Sequence, residues 1–189
     1  TRKALDETFP DDWPELEYAA ISAGPGGFQT FLGGADNLDY GTIVAAIVAP
    51  FSRGNVSISS ADMADPPLIN PNWLTDKRDQ EVAVIGYKRA RQIFESDVIK
   101  PVLIGDELFP GKNVSTDAQI LEEIRKSFGS VLHASCTCKM GRENDPMAVV
   151  DSHARVYGVQ GLRVVDAAAF PILPPGHPMA TVCESPTNV

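Results

Sequence analysis

Eight consecutive residues, Thr42-Ile43-Val44-Ala45-Ala46-Ile47-Val48-Ala49, form an uninterrupted apolar run that Pro50 closes. Its length and β-branched content predict a buried strand rather than a helix. Residues 15–22 alternate loosely between apolar and polar positions and predict a second strand. The stretch Ala23-Gly24-Pro25-Gly26-Gly27-Phe28 between them lacks the spacing of a dinucleotide fingerprint, because Gln29 stands where a glycine is needed and Pro25 has no amide to offer a phosphate. It reads as a flexible loop, with Phe28, Phe31 and Leu32 placed to line or pack against a pocket. After the Ser52-Arg53-Gly54 turn, residues 55–60 alternate again and predict a strand forming a hairpin-like pair with the apolar run. The proline-punctuated stretches 65–67 and 70–72 read as irregular.

Two helices follow. Thr75-Asp76 predicts a cap, and 79–94 places Val82, Ile85, Arg89 or Ala90, and Ile93 on one face. Lys88, Arg89 and Arg91 in its later half suit the negative end of the helix dipole and read as a solvated face. Residues 98–110 read as short and irregular. Ser115-Thr116-Asp117 caps a helix over 118–128, with Ile120, Leu121, Ile124 and Phe128 inward and Gly129 as the stop. Gly161-Leu162-Arg163-Val164-Val165-Asp166-Ala167 reads as a buried strand ending in an acid. Strands, two helices and then strands predict an α+β domain over 1–189, a mostly antiparallel sheet with helices on one face.

The 189 residues are 43% hydrophobic and 22% charged, which suits a soluble core-forming chain. A net charge of -9 argues against nucleic acid and anionic membrane surfaces as partners. There is no apolar run of membrane-spanning length and no signal core at the start, so the expectation is a cytoplasmic protein, or a secreted one whose beginning has been removed. The Asn55-Val56-Ser57 and Asn113-Val114-Ser115 sequons keep the secretory origin open. Cys136, Cys138 and Cys183 are too few for a disulfide framework and lack a second ligand pair for a metal, so reduced thiols and no metal are expected.

The chemistry concentrates in two histidines. Imidazole moves protons near neutral pH, which other unperturbed side chains do poorly. His133 follows Val131-Leu132 and precedes small residues, which allows close backbone approach to a ligand. His177 sits between Gly176 and Pro178 on a rigid loop. His153, in the polar run Asp151-Ser152-His153-Ala154-Arg155, reads as structural or surface. No nucleophile elbow, P-loop or H-E-x-x-H motif occurs.

The runs Ser52-Arg53-Gly54-Asn55-Val56-Ser57-Ile58, Pro66-Pro67-Leu68-Ile69-Asn70-Pro71-Asn72-Trp73-Leu74, His133-Ala134-Ser135-Cys136-Thr137-Cys138-Lys139-Met140-Gly141, Arg155 through Asp166, and Pro174-Pro175-Gly176-His177-Pro178 together resemble the glucose–methanol–choline (GMC) oxidoreductases. The resemblance covers nearly the whole chain but only the family's C-terminal, substrate-binding part and its last flavin-contacting segments. It implies a GMC substrate-binding fold, with the Rossmann-like FAD domain largely absent from 1–189. It implies alcohol oxidation: His133 accepts the hydroxyl proton, His177 orients substrate or assists, and the α-hydride passes to flavin. Asp166 and Ala167 match the segment near the flavin diphosphate, and Pro178 and Met179 the segment near the flavin ring. FAD would bind if the missing domain is supplied, either in the same chain or as a partner; otherwise no cofactor is expected.

The implied substrate is a small-molecule alcohol or a polyketide-like compound of fungal-type secondary metabolism. Some family relatives perform non-redox cyclisation. A flavin-free protein doing cyclisation, dehydration or isomerisation is therefore the alternative, and a non-catalytic partner subunit or homodimer is the third. The family's C-terminal helix, which usually continues after Thr181, is expected to be broken in Cys183-Glu184-Ser185-Pro186-Thr187-Asn188-Val189, because Pro186 is a poor helix interior residue.

Overall fold

The computed structural model describes residues 1–22, 24 and 39–184. The glycine-rich loop expected beyond Gly24, with Phe28, Phe31 and Leu32, lies outside them, as does Pro186. Contacts divide the chain into two compact units: 1–53 with 72–131, and 54–71 with 132–189.

The first unit holds the regular elements. Strand β1 (Leu16–Ile21) pairs antiparallel with β2 (Thr42–Ile47), Leu16 opposite Ile47 and Ile21 opposite Thr42. Both expected strands are present. Helix α1 (Arg2–Thr8) precedes them, and its Leu5 joins Phe9, Ala49 and Val82 in a buried cluster, with Trp13, Leu16, Ile47 and Phe51 packed around it. Helix α2 (Lys77–Phe94) packs on this ribbon. Gly86 marks the contact: a Cβ there would lie 3.1 Å from Leu16 and 3.3 Å from Ala45, so helix and ribbon approach closely because position 86 has no side chain. Helix α3 (Asp117–Ser127) packs against α2 and buries Ile120 almost completely.

Both long helices start at the predicted caps. Asp76 accepts the Arg78 amide at 2.9 Å, and Thr116 with Gln119 forms a reciprocal capping box. The inward stripe of α2 runs Asp79, Val82, Gly86 at helical spacing. Ile85, expected on that face, is one position out of phase and 59% exposed. The basic cluster is not simply a solvated face. Lys88 pairs with Asp117, and half-buried Arg91 forks onto Glu107 (2.9 Å to each carboxylate oxygen) while its Nη1 donates to the Val114 carbonyl at 2.7 Å.

The expected pairing of 55–60 with β2 does not form. Strand β3 (Asn55–Ser57) pairs instead with β4 (Leu68–Asn70), Val56 opposite Ile69. The cause lies in the turn between β2 and β3. Buried Asp79 accepts the amides of Phe51 and Ser52, each at 2.7 Å, and so holds the chain in a bend just after Pro50. Asn70, expected in an irregular stretch, ends β4; only Pro71 onward lacks strand structure.

The second unit has little regular structure beyond this ribbon: a one-turn 3₁₀ helix (Ala167–Ala169), helix α4 (Met179–Glu184) and isolated bridges. Its buried side chains include Val150, Ala154, Ala169 and Phe170. The segment 161–167, expected as a buried strand, makes a single bridge, Arg163 opposite Arg155, and leaves Leu162 49% and Val165 38% exposed. Its apolar composition is strand-like, but the chain turns at Gly158 and Gly161, both at positive φ, and no second strand lies alongside it among the described residues. Helix α4 takes in Cys183 and Glu184, and the break expected at Pro186 lies outside the described residues.

Candidate functional site

The second unit brings His133 and His177 together. Their ring centroids are 5.0 Å apart and the planes meet at 82°, edge to face. His133 is half-buried and His177 exposed. His153 is exposed elsewhere in the polar turn, where its amide donates to Asp151 Oδ1 at 2.9 Å.

Each ring is presented by constrained backbone. On the His133 side, Leu132 (φ 65°) and Cys136 (φ 67°) adopt the left-handed conformation, which costs a non-glycine residue about 1 kcal/mol and must be held by its surroundings. The amides of Cys136, Cys138 and Met140 donate to the carbonyls of Ala167, Ala168 and Ala169, at 3.1, 2.9 and 2.8 Å. Beyond them the Gly141 amide donates to the Val150 carbonyl, and the Tyr157 hydroxyl to the Gly141 carbonyl at 2.9 Å. Gly141 permits this because a Cβ there would stand 2.8 Å from that of Ala148. Lys139 pairs with Asp145 at 2.7 Å, and that ion pair lowers the Asp145 pKa. Asp151 accepts the His153 and Arg155 amides and pairs with the Arg155 guanidinium, which draws its pKa down to about 2.

On the His177 side, Gly176 at φ +83° turns the chain into His177, and Pro178 follows, its carbonyl accepting the Val182 amide at 2.8 Å in the first turn of α4. Asp166 caps the 3₁₀ turn: its Oδ1 accepts the Ala168 amide at 2.7 Å. Ala167 and Pro178 are half-buried, while Asp166 and Met179 are exposed. All six residues singled out from the sequence, His133, His177, Asp166, Ala167, Pro178 and Met179, therefore lie in this unit. Cys136 and Cys138 are half-buried free thiols, the Cys136 thiol 3.4 Å from Ser135 Oγ. Among the described residues no cluster of metal-ligating side chains occurs.

Sequence reasoning missed the 3₁₀ turn that holds the His133 loop, and it missed Asp79. For Asp79 a signal existed: Asp76-x-x-Asp79 has the acid spacing of a capping box, but the carboxylate faces away from the cap to the Phe51 and Ser52 amides.

The second unit sets two histidines side by side on loop-rich backbone. Residues 50–184 match the GMC oxidoreductase family, and the chain belongs to it, as part of the C-terminal portion of these flavoproteins. Its relatives include patulin synthase of Aspergillus clavatus, 55% identical over an alignment of 188 residues that covers 96% of this chain and 29% of that protein. Versicolorin B synthase of Aspergillus parasiticus is 46% identical over 182 residues, 96% of this chain and 27% of that protein. Among solved structures, pyridoxine 4-oxidase from Mesorbium loti superposes with a TM-score of 0.70 at 28% identity, over 89% of this chain and 32% of that one. The chain thus spans under a third of the length of each.

Proposed function

We propose that this chain is the substrate-binding and proton-accepting portion of a GMC-type, FAD-dependent alcohol oxidoreductase, in which His133 takes the hydroxyl proton and His177 orients the substrate oxygen. The observation that carries this reading is the 5.0 Å approach of the two rings, which lets both address one oxygen. A general base must reach the proton it abstracts at hydrogen-bond distance, and a second polar group on the same oxygen fixes its direction. Half-burial of His133 limits competition from bulk water, while exposed His177 leaves an approach for substrate.

The residues present suit one wall of a flavin site. Asp166, Ala167, Pro178 and Met179 offer small, rigid or apolar surface, and exposed Met179 has area to give to a planar ring. FAD, when bound, supplies the acceptor for the hydride that the substrate carbon gives up. This chain's own part is to bind the alcohol, aim its hydroxyl and hold the proton on imidazole.

The substrate class is a small-molecule alcohol, and the naming of relatives as patulin and versicolorin B synthases supports polyketide-like compounds of secondary metabolism. The test is a flavin spectrum and alcohol-dependent dye reduction by the complete protein. A flavin-loaded protein that reduces no dye with any of a panel of aryl and polyketide-type alcohols sinks the proposal.

A second reading rests on the same approach of the two rings. Two imidazoles on one oxygen also suit cyclisation, dehydration or isomerisation, in which a proton leaves one atom and another arrives elsewhere without net redox. Product formation with no dye reduction and no flavin bleaching would select it.

A further inference from the structure

We infer that Asp166 is a positioning residue for the His133–His177 pair, acting through the Ala167–Ala169 turn; the role rests on the proposed function above. The turn is where both histidine arms are tied. The His133 arm docks on it through three amides, Cys136, Cys138 and Met140, donating to three successive carbonyls. The His177 arm leaves from it directly, through buried Ala169 and Phe170.

A three-residue 3₁₀ turn is a weak element by itself, because its hydrogen-bond geometry is poor. What closes it is Asp166. The carboxylate accepts the Ala168 amide at 2.7 Å, and the Asp166 carbonyl accepts the Ala169 amide at 3.0 Å. The Ala167, Ala168 and Ala169 carbonyls are then held where the three amides of the His133 arm donate to them. Loss of the cap frees the turn, and both arms lose their common reference. One oxygen of the Asp166 carboxylate, Oδ1, is therefore engaged by its own backbone. Its contribution near a flavin would be through the shape it imposes and not through a contact made by its charge.

Capping needs an acceptor oxygen and not a negative charge, so asparagine and serine serve as well as aspartate. That separates this role from an electrostatic one. In the complete flavin-loaded protein, Asp166→Ala should speed amide hydrogen exchange at Cys136, Cys138 and Met140 by about tenfold, the scale of one lost cap. It should lower kcat about tenfold with KM for the alcohol changed by less than about twofold, since the groups are present but misaligned. Asp166→Asn and Asp166→Ser should keep exchange at those amides within about twofold of the parent and regain most of the kcat lost in the alanine variant. If Asp166→Ala does not fold, the asparagine and serine variants decide through the same exchange measurement. Unchanged exchange in Asp166→Ala overturns the inference, and so does asparagine behaving like alanine. His133→Ala, run alongside, keeps the two ideas apart: full turnover without that imidazole removes the catalytic reading, whereas the exchange pattern judges the cap alone.

Discussion

The two units are built by different means. In the first, helices and a ribbon bury Leu5, Phe9, Ala49, Val82 and Ile120, and a carboxylate seals the bend after β2. In the second, short bridges, capped turns and crossed backbone bonds predominate, and each histidine follows a residue at positive φ, Leu132 or Gly176. Stability in the one comes from apolar area, which is tolerant in direction; order in the other comes from directional bonds. A side chain that must meet another ring at a set angle benefits from the second kind of support. The comparison assigns mutations to two classes, those that unfold and those that misalign.

The largest expected effect belongs to the second unit. His133→Ala should lower turnover by about a thousandfold, within the range for loss of a general base, with little change in thermal stability. Steady-state kinetics beside calorimetry checks this; a parallel fall in melting temperature would mean the ring is a packing element. Asp79→Ala should do the opposite, costing the first unit about 3 kcal/mol by orphaning the Phe51 and Ser52 amides. Denaturant titration reads it, and a loss below about 1 kcal/mol would show that the bend stands without the carboxylate. Smaller still, Ile120→Val should cost about 1 kcal/mol in the first unit, as removal of one buried methylene does. Peptide-resolved hydrogen exchange should place that loss in α2 and α3, not around His133.

Acid should separate the units least. Asp76 in the first and Asp151 in the second both have pKa values near 2, below their unfolded 3.8, chiefly because Arg78 and Arg155 donate to them. A depressed carboxylate stabilises fully above its unfolded value and ceases to do so as pH falls through its folded one. Both contributions should therefore hold above about pH 4 and fade toward pH 2. Asp151→Asn should abolish that acid sensitivity at residues 151–155 only, as amide exchange between pH 4 and 2 would report.

The first unit was the more legible in the sequence. Periodicity located β1 and β2, and Asp76 and Thr116 marked the helix starts, because those signals act within a few residues. The partner of β3 was not legible: Asp79, far along the chain, bends the backbone away from β2. Residues 161–167 are strand-like in apolar composition, but Gly158 and Gly161 turn the chain and Arg163 alone among them bridges. The two histidine motifs stood out locally, but nothing local says that a 3₁₀ turn gathers both. That link runs through main-chain carbonyls, which leave no trace in residue identity.

Gly86 has a consequence for anyone rebuilding this protein. Alanine there would gain about 1 kcal/mol of helix propensity. Its methyl would also act as a shim, prising α2 from Leu16 and Ala45 by a few tenths of an ångström. The residue that looks easiest to improve on paper is thus the one that sets the clearance of the joint.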